Sequence, residues 1–339
     1  GMATALSSGI VNIMTGASTL GAAGAINVLA GTSTVGSGGN INIKAGRTSS
    51  GAGTDTGGNV EIQTGYSVSK NSGAMKMGTS NGGFSGNSGA FTLSTGASSN
   101  QQSGDIMFHT GDAKKASGML QFETGDSTTG NAGNIDINGG EAEAANRYGG
   151  SINLSAGTGS SEASSGQGGG RGGNVTLIGG RSMGGHKTLD IGGRIDIAAG
   201  QAETFTGGSV FIETGTSVLS SSGAIRVQTA NAGDDGASGG ILVRTGAASS
   251  GNAGEIHIRG GTSPFGGGGN IAMVAGTSVA RVGGNVVIEG GLSKSSFGGD
   301  VSISSGLGTT ADGSGDVVIN TAGGIVSPTG IMNISTGLS

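Results

Sequence analysis

The chain contains no cysteine and no tryptophan, two prolines, and aromatic residues at only 3% of its 339 positions. Each scarcity removes a class of protein. Without cysteine there is no disulfide framework, no thiolate metal site and no cysteine nucleophile. With two prolines and no strict three-residue glycine period, a collagen helix is excluded. No apolar run approaches the roughly 20 residues of a membrane helix, so no membrane insertion is expected. Charge is scarce too: 11% of residues, 16 basic against 21 acidic, for a formal net charge of −5. That balance disfavours neutralising a phosphate backbone, so no nucleic-acid partner is expected.

What the chain has in abundance is glycine, 79 residues, set among regularly spaced apolar pairs. A flexible Gly/Ser linker would lack such pairs, and disorder fits poorly with a low net charge and Val/Ile recurring on schedule. The recurring unit is Gly-Gly-Asn or a relative, followed by apolar–x–apolar–x–small–Gly. Gly38-Gly39-Asn40-Ile41-Asn42-Ile43-Lys44-Ala45-Gly46 and Gly57-Gly58-Asn59-Val60-Glu61-Ile62-Gln63-Thr64-Gly65 are examples. The first apolar residue falls at Val11, Ile26, Ile41, Val60, Met75, Phe91, Ile106, Leu120, Ile135, Ile152 and Val175. It continues at Ile195, Val210, Ile225, Ile241, Ile256, Ile271, Val286, Val301, Val317 and Met332. Of the twenty intervals, twelve are 15 residues and three are 16.

Period-two alternation with β-branched residues predicts a strand in each unit. One such strand is too short to form a core, so the units are expected to stack. The predicted fold is therefore all-β: one continuous β-solenoid over 1–339, of about 21 rungs and mostly 15 residues per repeat. At about 4.8 Å per rung it would be on the order of 100 Å long. One unit per turn is favoured over a flattened turn of two units. The small residue, Thr at Thr64, Thr79, Thr95, Thr110 and Thr124, shares the inward parity of the apolar pair. The glycine after it can turn the chain at φ values other residues avoid.

Two positions further on, a small residue recurs, as at Ser18, Ser33, Ser67, Ser98, Ser127, Ser217 and Ser263. It is read as the opposite wall in close approach. Leu20, Val35, Val68, Phe84, Phe205, Leu219, Phe265 and Phe297 are expected to fill the far side of a thin core. Asn40, Asn59, Asn134, Asn174, Asn270 and Asn285 suit a turn and a partial amide ladder. Three long intervals, of 19, 23 and 20 residues, place inserted loops near 49–56, 160–171 and 183–192. The chain starts inside a repeat and stops just after a strand, which reads as a fragment of a longer array or as ends occupied by neighbours.

Residues for chemistry are sparse. His109 and His257 sit at outward positions many units apart, and His186 lies in the third inserted loop. No pair has metal-ligand spacing. Asp234-Asp235 and Glu141/Glu143 are the local carboxylate clusters, both in turn segments without aromatics to hold a sugar. Asp105, Asp300 and Asp316 precede strands in too few units for a calcium ladder. Matches to Gly-rich phosphate loops arise by composition, and no helix follows them. No catalytic, cofactor-binding or metal residue is assigned, and no cofactor is expected. Glu213, Arg244 and Arg259 share an outward column and could pair across units. Asn153-Leu154-Ser155, Asn174-Val175-Thr176 and Asn333-Ile334-Ser335 are formal glycosylation triplets.

The units Gly172-Gly173-Asn174-Val175-Thr176-Leu177-Ile178-Gly179-Gly180 and Gly283-Gly284-Asn285-Val286-Val287-Ile288-Glu289-Gly290-Gly291 resemble glycine-rich β-solenoid tracts of very large surface proteins. The resemblance is to predicted secreted proteins of diatoms and related algae and, more distantly, to filamentous-haemagglutinin-type bacterial adhesins. It implies an extracellular or cell-surface structural or adhesive role, and supplies no functional residues. The expected function is thus a non-enzymatic rod segment, with glycans, extracellular matrix or a mineral surface as partners and end-to-end self-association as a further one. Two alternatives are an ice- or crystal-surface-binding protein, which needs an outward Thr array, and a carbohydrate-active solenoid enzyme, which needs paired carboxylates in a cleft.

Overall fold

In each unit, alternation favours an extended backbone, and the glycines on either side permit close backbone approach. The computed structural model describes residues 8–49, 55–161, 169–185, 190–309, 313–323 and 329–336. Among these residues there is no helix and no strand. The expected all-β solenoid is therefore corrected: no backbone ladder joins one alternating segment to another. A strand needs a second segment about 4.8 Å away and in register. Alternation encodes an extended conformation but not the position of a partner.

The alternating segments do keep period-two geometry. Arg194 Nε donates to Asp196 Oδ2 at 2.9 Å, Arg226 Nε to Gln228 Oε1 at 2.5 Å, and Gln121 Nε2 to Glu123 Oε2 at 2.5 Å. Each pair is two residues apart and brackets one residue of the apolar set, so the polar side chains share one side of an extended backbone.

The ordering contacts lie within the spacer instead. The amide of the glycine before one segment donates to the carbonyl of the glycine after the preceding segment. Gly39 to Gly31 is 3.0 Å, Gly73 to Gly65 2.9 Å, Gly208 to Gly200 2.9 Å, Gly269 to Gly261 2.9 Å and Gly299 to Gly291 2.8 Å. Each of these bonds closes an eight-residue step into a loop. The chain divides into two units, Gly1–Val175 and Thr176–Ser339, and closed loops of this kind occur in both.

The glycine after the segment does not serve as a left-handed corner. Among the described glycines only Gly36 (φ 104°) and Gly313 (φ 84°) have positive φ, and both lie within spacers. The glycines at the loop neck are there for proximity. A Cβ on Gly39 would lie 3.2 Å from the Ala30 Cβ, and one on Gly73 would lie 3.3 Å from the Thr64 Cβ. Where the small position is itself glycine the approach is closer still, and a Cβ on Gly260 would collide with the carbonyl oxygen of Gly269.

Coverage falls off in steps along the unit. Ala30, Thr64, Thr124, Ala156, Thr214, Thr229 and Ala275, all at the small position, are half-buried. From Ile26 to Met332 the first apolar residue is 46–60% exposed. The second is more exposed, as at Ile43 and Ile212, except in the Phe91/Leu93 unit. No described side chain is buried. The residues expected to fill the far side of a core, Val35, Phe84 and Phe265 among them, are 90% exposed or more. This corrects the expectation of a thin core.

Candidate functional site

The recurring closed loop is the feature that the structure offers as a site. Its neck is the Gly–Gly hydrogen bond, and in the loops at Ser67, Ser217, Ser263, Ser278 and Ser293 its first turn is set by serine. Ser Oγ accepts the amide three residues on: Gly21 to Ser18 at 3.1 Å, Lys70 to Ser67 at 3.0 Å, Gln101 to Ser98 at 3.1 Å and Gly130 to Ser127 at 3.0 Å. The same bond forms from Ser220 to Ser217 at 3.0 Å, Gly266 to Ser263 at 2.8 Å, Arg281 to Ser278 at 2.9 Å and Ser296 to Ser293 at 2.9 Å. Ser33 departs from the pattern and donates to the Val35 carbonyl at 2.8 Å. The serine column is thus a set of side-chain-capped turns, not an opposing wall. Short hydroxyl side chains that bond the nearby backbone are known turn formers, so this role was available in the sequence and was missed.

Within or just after this turn, several loops present a large apolar side chain to solvent. Leu20, Val35, Val68, Phe205, Leu219, Phe265 and Phe297 lie in the spacers and are 90% exposed or more. Phe84 sits in a tighter turn closed by Gly86 N–H donating to the Gly83 carbonyl at 3.1 Å. Hydroxyls and glycines surround these side chains, as in Gly261-Thr262-Ser263-Pro264-Phe265-Gly266.

The inserted segments use the same neck. Gly58 N–H reaches the Gly46 carbonyl at 2.8 Å, Gly173 reaches Gly157 at 2.9 Å and Gly193 reaches Gly180 at 2.7 Å. The expected loops at 49–56, 160–171 and 183–192 lie between these glycine pairs. Within them, residues 50–54, 162–168 and 186–189 lie outside the described residues, and so does His186.

The remaining sequence candidates stand apart from one another. His257 Nε2 and Glu255 Oε2 are 2.8 Å apart, with both side chains largely exposed. His109 is exposed. Asp234 and Asp235 form the centre of a turn in which Gly236 N–H donates to the Gly233 carbonyl at 3.2 Å. Glu141 and Glu143 are exposed. No group of three or more His, Asp or Glu among the described residues could hold a metal ion. Glu213, Arg244 and Arg259 form no ion pair with one another; Arg194–Asp196 and His257–Glu255 are ion pairs that each form within one segment. Nor do the asparagines Asn40, Asn59, Asn134, Asn174, Asn270 and Asn285 form an amide ladder. A shallow depression lined by His257, Ile258, Arg259, Gly260 and Ile271 is open to solvent.

Among the described residues no helix is long and apolar enough to cross a membrane. No family model, curated protein or solved structure matches the chain.

Proposed function

We propose that this chain is a non-enzymatic, adhesive segment of an extracellular or cell-surface repeat protein. One observation carries the reading. A serine-capped, glycine-closed loop recurs at Ser67, Ser217, Ser263, Ser278 and Ser293, and each of these loops offers an exposed apolar side chain: Val68, Leu219, Phe265, Val279 and Phe297 in turn. A single such loop makes few contacts and binds weakly. Many copies on one chain turn later contacts into intramolecular events, which raises avidity by orders of magnitude without any new contact. Carbohydrate and mineral surfaces are repetitive and hydroxyl-rich or ionic, and they suit such a ligand-presenting array. The Thr residues of the small position are turned toward glycine neighbours, as Thr64 is toward Gly73, which supports ranking adhesion above an outward Thr face for ice.

The test is binding of the full chain to glycans immobilised at two densities, and to silica and calcium carbonate particles. Binding that rises steeply with surface density is expected. Turnover of a glycan, or thermal hysteresis in its place, would replace this reading with one of the other two.

A further inference from the structure

The chain exposes 34356 Å² of surface. A folded monomer of its mass, 32.0 kDa, exposes about 12,000 Å², and the fully extended chain about 46,000 Å². The excess over a folded monomer, about 22,000 Å², exceeds tenfold the roughly 1,600 Å² of a standard stable interface. Much of it is apolar side chain arranged in a fixed order. In the segment Ile41–Lys44 two apolar residues point one way, and no backbone N–H or C=O of these four residues makes a hydrogen bond. A solvent-facing extended segment with free backbone groups is a template for pairing with another strand.

We propose that these segments pair edge to edge with the same segments of a second copy of this chain. The occupant follows from the spacing. To engage successive units, a partner must offer apolar–x–apolar at the same period of about 15 residues, and a second copy does so by construction. Charge does not oppose it, since the net charge of −5 is spread over 339 residues. Pairing supplies the missing ladder and covers the half-exposed first apolar residues, such as Ile106 and Ile195. This association is lateral, and it does not rest on the adhesive reading.

The test is sedimentation velocity of the full chain over a hundredfold concentration range, with far-UV circular dichroism at each concentration and at high salt. The expected result is a sedimentation coefficient that rises with concentration together with a β-sheet signal. A variant with lysine at the first apolar residue of every unit from Ile195 to Val301 should raise the apparent Kd at least tenfold. High salt screens the added charge, so the loss reports apolar pairing. A chain that stays monomeric overturns the proposal, whether or not it shows β-sheet signal. So does association without β-sheet signal, or association that the lysine variant leaves unchanged.

Discussion

The amide of Gly269 donates to the carbonyl of Gly261 across an eight-residue loop, and a Cβ placed on Gly260 would collide with the Gly269 carbonyl oxygen. Gly261 itself has open space where its Cβ would be. Two adjacent glycines therefore have different duties. One yields room for the returning backbone, and the other provides the acceptor. Replacing Gly260 by Ala should open this neck, whereas Gly261→Ala should not. A net hydrogen bond contributes about 0.5–1.5 kcal/mol, so amide exchange at Gly269 should quicken roughly two- to tenfold in the first variant. Exchange that is equal in both variants would remove the neck from the account.

The serine cap makes a second, independent prediction. Ser263 Oγ accepts from the Gly266 amide at 2.8 Å. Ser263→Ala leaves that amide to solvent and should cost a similar amount, about 0.5–1.5 kcal/mol of local loop stability. Ser263→Asp should retain the turn, because a carboxylate oxygen can accept the same amide. Exchange rates at Gly266 in the two variants check this, and equal rates would refute the cap.

Loop length should matter little. The neck from Gly46 to Gly58 spans twelve residues, against eight from Gly31 to Gly39. Loop-closure entropy grows only with the logarithm of length, and this difference is worth about 0.4 kcal/mol. Deleting residues 50–53 should therefore speed or slow exchange at Gly58 by less than about twofold. A larger change would mean that the inserted residues hold the neck by contacts of their own.

The ion pairs should be nearly silent. The Arg194 guanidinium lies 2.8 Å from Asp196 Oδ2, with side chains 83% and 65% exposed. Exposed pairs contribute about 0–1 kcal/mol and are screened by salt. Arg194→Gln should leave amide exchange at the neighbouring Gly193, whose neck bond to Gly180 is 2.7 Å, within about fivefold of the parent. A larger effect would mean that this pair anchors the segment.

The sequence by itself determined the period, the equivalence of units, and which residues within each unit share a side. Local chemistry carries all three. Alternation places Arg194 and Asp196 together, and a small residue at Ala30 or Thr64 marks where backbone returns. The serine turn was equally local, and only its reading was missed. The sequence did not determine what the alternating segments pair with, because a ladder depends on a partner distant in the chain and on its register. It also did not show whether Phe265 fills a core or faces water, since a large side chain among glycines is compatible with both. The tertiary structure decided these points. It closes many of the spacers, such as 31–39, 65–73 and 261–269, through a Gly–Gly bond, where short separation keeps the entropic cost of closure low, and leaves the segments Ile41–Lys44 and their counterparts without a ladder.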